Sequence, residues 1–189
     1  MTDEQTRTTR REFLSGGIRG ACLLGLGGAV GLLAGRARSD ELVWQIDPYK
    51  CNQCGNCATY CVLKPSAVKC VHSFALCGYC LRCFAFFDPN TSKFDSAAEN
   101  QLCPTGAIAR RFVEDPYYEY TIDEKICIGC GKCAKGCNTF GNGSLYLQVR
   151  HDRCLNCNEC AIAVACPSNA LVRVPADTPY LFKKPDGSQ

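Results

Sequence analysis

The chain has 189 residues, 18 of them cysteine, with 21 basic against 18 acidic side chains and a formal net charge of +3. That length fits one domain or two small ones. The weak positive balance supplies no electrostatic footprint for nucleic acid.

Residues 1–37 form the first segment. Thr9-Arg10-Arg11-Glu12-Phe13-Leu14 precedes an apolar, glycine-rich run over residues 20–35. A basic region ahead of an apolar run is an export signal, and paired arginines before Phe-Leu resemble the bacterial twin-arginine signal. That route carries folded cargo, which suits a protein whose metal centres are inserted before it crosses the membrane. Gly35-Arg36-Ala37 offers small residues for cleavage, but Arg36 makes a poor site. The apolar run covers 16 residues, against roughly 20 for a spanning helix, and Arg19 lengthens it by snorkelling. A cleaved signal and a retained N-terminal anchor helix both fit, with the balance toward retention. Cys22 reads as a small apolar residue of this run, because Arg19-Gly20-Ala21 is a poor lead-in for lipid attachment.

Beyond residue 46, cysteines recur in four series: Cys51, Cys54, Cys57, Cys61; Cys77, Cys80, Cys83, Cys103; Cys127, Cys130, Cys133, Cys137; and Cys154, Cys157, Cys160, Cys166. Each opens with C-x2-C-x2-C. Structural zinc sites separate two ligand pairs by a long spacer, and this run is too tight for two of them. It suits three corners of a [4Fe–4S] cube. Pro104 and Pro167 follow Cys103 and Cys166, as in the run whose last cysteine reaches the neighbouring cluster. A disulfide scaffold does not call for four repeated triplets. Four [4Fe–4S] clusters are the expected cofactors, and their negative charge reverses the nominal basic balance.

The halves of the chain share a plan. Ile46-Asp47 and Ile122-Asp123 stand before the first and third triplets, and Val149-Arg150-His151-Asp152-Arg153 before the fourth. Cys103-Pro104-Thr105-Gly106-Ala107-Ile108 and Cys166-Pro167-Ser168-Asn169-Ala170-Leu171 close the halves. Strands are expected over 109–113, 117–122, 144–149 and 170–174, and short helices near Ala58 and Ala134. Residues 114–120, with Pro116 and three tyrosines, form the expected seam. Between Cys83 and Cys103 lie 19 residues, against five between Cys160 and Cys166. Phe84, Phe86, Phe87 and Phe94 make this insertion a packed loop, a shield for a cluster, or a docking surface. Cys70 is left over, either a buried thiol or a ligand in place of Cys61. His72 and His151 read as hydrogen-bonding or surface residues. Each half is too small to bury much apolar surface, so metal ligation and folding are expected to be one event.

These phrases resemble the bacterial two-cluster ferredoxin fold in tandem. The resemblance implies a small, loop-rich α+β architecture, with units over 46–113 and 117–175 and a C-terminal tail over 176–189. It also implies ligands exchanged within each half. One cluster would take Cys51, Cys54, Cys57 and Cys103, and its neighbour Cys77, Cys80, Cys83 and Cys61. The second half would use Cys127, Cys130, Cys133 with Cys166, and Cys154, Cys157, Cys160 with Cys137.

Residues 7–14 and 46–174 together resemble the exported polyferredoxin subunits of bacterial respiratory enzymes, among them the ferredoxin-type subunits associated with periplasmic nitrate reductase. The electron-transfer subunits of molybdopterin oxidoreductases are similar, though several carry a long gap in the fourth series that is missing here. The resemblance implies a hetero-oligomeric relay of single electrons. Its partners would be a membrane quinone-reactive subunit and a periplasmic reductase, dehydrogenase or cytochrome, and its place the outer face of the cytoplasmic membrane. A diffusing periplasmic shuttle and a structural iron–sulfur subunit are the alternatives. No nucleotide loop, Ser-His-Asp set or carboxylate pair stands out, so no catalytic residue is assigned and enzymatic activity is expected only within a complex.

Overall fold

The computed structural model describes Gly25, Gly28 and residues 41–73, 77, 80–88, 90 and 101–183. Apart from Gly25 and Gly28, the expected export segment, Cys22 included, lies outside them, as does Phe94. Two compact units are present, Met1–Glu41 and Leu42–Gln189. Gly25 and Gly28 of the first are helical, and all that follows concerns the second. Among the described residues no helix is long and apolar enough to cross a membrane.

The second unit is a mixture of short helices and two-stranded antiparallel ribbons. Its strands are β1 (Leu42–Ile46), β2 (Val68–His72), β3 (Ile108–Glu114), β4 (Tyr117–Ile122), β5 (Leu145–Val149) and β6 (Leu171–Pro175); its helices are α1 (Asn56–Tyr60), α2 (Lys132–Phe140) and α3 (Ala161–Ala165). The pairing is nested. β1 lies against β6 with Leu42 opposite Pro175, β2 against β5 with Val68 opposite Val149, and β3 against β4 as a hairpin. Only the hairpin is local. A tandem of two units divided near residue 116 does not appear: Asp115-Pro116 is the turn joining β3 to β4, and the other two ribbons join the halves of the sequence.

The same local device precedes the first and third triplets. Asp47 Oδ1 accepts from the Tyr49 N–H at 2.9 Å, and Asp123 Oδ1 from the Lys125 N–H at 2.8 Å. These aspartate turns end β1 and β4 and lead to Cys51 and Cys127, whose N–H groups bond back to the Asp47 and Asp123 carbonyls. The Asp47 N–H also reaches the Ala170 carbonyl at 2.8 Å, and the Asp123 N–H the Ala107 carbonyl at 2.7 Å. Each triplet is thereby set beside a Cys-Pro phrase: the first beside Cys166, the third beside Cys103.

All five residues of β5 are buried, as are Val68, Lys69 and Cys70 of β2. This ribbon is the centre of the second unit. Its free edge is closed by the fully buried Gln45 side chain. Gln45 Oε1 accepts from the N–H groups of Ile46 and Val149, both at 2.8 Å, and its Nε2 donates to the Pro179 carbonyl at 2.9 Å. Residues 178–183 then run across the ribbon as a strap. Gln148 Nε2 holds the Leu181 carbonyl, and Lys183 Nζ bridges Asn138 Oδ1 and the Gly143 carbonyl. The core comprises Ile46, Val68, Phe86, Phe87, Ile108, Leu145, Leu147, Val149 and Ile162, together with cysteines.

Helix α2 approaches the turn after Cys83 so closely that Gly136 has no room for a side chain. A Cβ there would lie 2.3 Å from the Phe84 carbonyl oxygen. Helix propensity alone favours Gly136→Ala by about 1 kcal/mol, but a backbone clash of this kind costs about 1–3 kcal/mol. The expected result is a lower thermal midpoint for the metal-loaded variant under anaerobic conditions; a higher one would mean that α2 does not rest on Phe84.

Candidate metal centres

The sixteen cysteines of the four series converge as four sets, and the fourth member of each differs from the ligand exchange expected of tandem units. Cys51, Cys54 and Cys57 gather with Cys166, and Cys154, Cys157 and Cys160 with Cys61. Cys127, Cys130 and Cys133 gather with Cys103, and Cys77, Cys80 and Cys83 with Cys137. The physical reason is the strand pairing: β1–β6 carries Cys166 to the first triplet, and β3–β4 carries Cys103 to the third.

Two ribbons also clamp a triplet loop from outside. Trp44 Nε1 donates to the Cys157 carbonyl at 2.7 Å, and Arg173, stacked 4.2 Å over the Trp44 ring, donates to the Cys157 and Asn158 carbonyls. On the β3–β4 hairpin, Tyr118 pairs with Cys80 through two backbone hydrogen bonds, while the Arg110 guanidinium lies 3.6 Å over the Tyr118 ring. Aromatic residues of the insertion pack here: Phe86 touches Phe87 and Tyr120, and Phe84 touches Phe140 of α2. Over its described part the insertion is a packed loop beside the Cys77 set.

The electrostatics within the sets have a common form. Burial pushes the Cys57 thiol up to about 12, with Cys51, Cys54, Cys166 and Cys160 adding to the shift. Burial likewise raises Cys83 to about 12 despite donors from Ala85 and Phe86, and Cys80 and Cys137 add to it. Cys51, Cys80, Cys130 and Cys154 are raised for the same leading reason. Three members go the other way, among them Cys133, lowered by its hydrogen bond with Cys70. Burial would raise Cys166, but the Ala170 N–H and Ser168 outweigh it; burial would raise Cys61, but the N–H groups of Ala67 and Leu63, with Ser66 and Lys64, lower it. Donor contacts recur at matching places, with Ala107 N to Cys103 Sγ at 3.2 Å and Ala170 N to Cys166 Sγ at 3.4 Å.

This donor chemistry fits a multi-iron core. Thiols forced together in low dielectric resist ionisation one by one, and a cationic core relieves that repulsion as it displaces their protons. Among the described residues no three Cys, His, Asp or Glu side chains close tightly enough to hold a single ion. Four corners of a cube hold their thiolates further apart than one ion does. The Cys77 set surrounds a cavity of about 160 Å³, lined also by His72 and Leu145. His151 meets Gln45 Nε2 at 3.3 Å and stacks on Tyr180, a hydrogen-bonding role. Cys70 faces the Cys127 set and hydrogen-bonds Cys133, so it is not placed to replace Cys61. Lys69 was invisible as a site residue, since a lysine in a short strand ordinarily points to solvent.

The sets lie within electrostatic reach of one another in pairs. Cys160 acts on Cys57, and Cys137 on Cys70 beside the Cys127 set. The pairs meet through two glycines with left-handed backbones. A Cβ on Gly55 would lie 3.1 Å from the Cys130 carbonyl oxygen, and one on Gly131 would lie 3.0 Å from that of Gln53.

No family model matches the chain, and no solved structure does. It is similar to an uncharacterised ferredoxin of Methanocaldococcus jannaschii, 26% identical over 149 residues, a match that spans 74% of this chain and 76% of that one. That likeness and the cysteine sets point to an iron–sulfur protein of ferredoxin type.

The grouping is open to a direct check. Cys51→Ala and Cys166→Ala should each remove the same centre, about four iron atoms, and the double variant no more than either alone. Pairing Cys166→Ala with Cys130→Ala should remove about eight. Iron quantitation with electron spin resonance separates this from the exchange expected of tandem units, in which Cys166 and Cys130 would belong to one centre.

Proposed function

We propose that the chain is an electron-transfer subunit that relays single electrons through four [4Fe–4S] clusters. The convergence of sixteen cysteines into four sets of four carries this reading. A cube bound by four thiolates supplies a one-electron couple and no open iron for substrate. The chain's own residues bind, separate and shield the centres. Cys61 and Cys166 are drawn toward the thiolate form by local donors, and Trp44, Arg173, Tyr118 and Arg110 hold the outer loops in place. The contacts between sets support a path in the order Cys154 set, Cys51 set, Cys127 set, Cys77 set.

The partners in this proposal are a membrane quinone-reactive subunit and a periplasmic oxidoreductase or cytochrome, with export by the twin-arginine route. A dedicated subunit needs an apolar contact surface. The tip of the β3–β4 hairpin exposes Phe112, Val113 and Tyr117, which favours assembly over a diffusing shuttle.

Anaerobic purification from membranes, with iron and sulfide quantitation and electron spin resonance, tests the reading. About sixteen iron atoms per chain, four for each cube, with interacting signals and a co-purifying quinone-reactive chain, is the expected result. Zinc, or fewer than four clusters, would overturn it. The full cluster content on a partner-free monomer would replace the subunit with the shuttle.

A further inference from the structure

Strand β2 brings two consecutive buried residues to one thiol set. Lys69 is fully buried and Cys70 is 1% exposed. Lys69 Nζ donates to the Cys127 carbonyl, and Cys61 of the Cys154 set lies within its electrostatic reach, together with Glu124 and Arg153. Glu124 is engaged by a two-pronged ion pair with Arg150. Among the described residues no carboxylate closes a salt bridge to Lys69. An ammonium withdrawn from water needs a counter-charge, and anionic thiolate centres on either side are the groups positioned to supply one. Cys70 walls the same cavity as Cys103, Cys127, Cys130 and Cys133 and pairs with the Cys133 sulfur, toward which its S–H is the donor once Cys133 is a metal-bound thiolate.

A positive charge and a donor aimed at the same centre act in one direction. Reduction adds one electron to the centre and breaks no bond, so the negative charge facing Lys69 and Cys70 grows. Burial opposes that growth, while the same low dielectric strengthens the attraction of a buried cation. We propose that Lys69 and Cys70 are positioning residues that raise the reduction potential of the centre held by Cys103, Cys127, Cys130 and Cys133. Lys69 acts as well on the centre held by Cys61, Cys154, Cys157 and Cys160. This rests on the iron–sulfur reading of the sites.

The test is a mediated dithionite titration of the loaded full-length chain, followed by electron spin resonance. Cys70→Ala should keep its full iron content and lower one midpoint. The expected size is up to about tenfold in the reduction equilibrium, or about 59 mV for one electron. Cys70→Ser, which keeps a donor, should return most of the shift. Lys69→Met, or Lys69→Gln if the first does not load, should lower two midpoints, whereas Lys69→Arg should leave them near the parent values. Unchanged midpoints at full iron content in the Cys70→Ala and neutral Lys69 variants would overturn the inference. Loss of about four iron atoms from Cys70→Ala would overturn it too, by making Cys70 a ligand. A parent chain that holds no iron and sulfide would overturn the iron–sulfur reading itself, a result distinct from either.

Discussion

The pairing of β2 with β5 is the constraint on which the rest of this structure depends. Each strand follows one cysteine series and leads into another: β2 links Cys61 to the second triplet, and β5 links Cys137 to the fourth. Once they are paired, the first and last segments of the unit are left on one side of the sequence nest and the second and third on the other. β1 and β6 then close the outer part, and the β3–β4 hairpin closes the inner part. The β5 side of the ribbon is covered, because Gln45 satisfies the Val149 N–H and the 178–183 strap lies over Gln148. A buried amide with this many partners positions two strands at low cost, whereas an apolar side chain there would leave buried donors unmet.

Charge is the second constraint, and it works against the first. Compact pairing crowds the thiols into sets, several of them buried, and burial penalises their ionised forms, as the high values of Cys57 and Cys83 express. The fold answers unevenly. Donors outweigh burial at Cys61 and Cys166, which arrive at their triplets from far along the chain, and at Cys133 beside Cys70, and a buried lysine lies within electrostatic reach of two sets. Metal binding and folding are coupled by this arrangement, because the core that compensates the thiolates also ties distant segments together.

Much of the local structure was legible in the sequence. Four of the six strands were expected within a residue or so of where they lie, as were the helices at Ala58 and Ala134. Strands β1 and β2 were not anticipated: Lys69, Cys70 and His72 make β2 read as a polar connection, and its strand character comes from pairing with β5. Helix α3, five residues between Cys160 and Cys166, is too short to show a helical period. The grouping of each C-x2-C-x2-C triplet was legible from spacing, but the fourth cysteine that each one faces was not.

Loop-closure entropy shows what the nested partners have to overcome. Joining the first triplet to Cys166 instead of Cys103 roughly doubles the loop, which costs about 0.6 kcal/mol. Joining the third triplet to Cys103 instead of Cys166 shortens a loop and returns part of that. The second triplet's loop to Cys137 and the fourth's to Cys61 are longer still than in the tandem exchange, so loop closure opposes the nested arrangement by about 3 kcal/mol, a cost that a few satisfied hydrogen bonds of about 1 kcal/mol each offset. The choice between a nested and a tandem arrangement therefore passes to contacts that a motif does not encode. Trp44 and Arg173 fasten β1 and β6 to the fourth triplet, and the Asp47 N–H bonds Ala170. Those few side chains, spread over the whole length of the unit, decide which cysteines face one another.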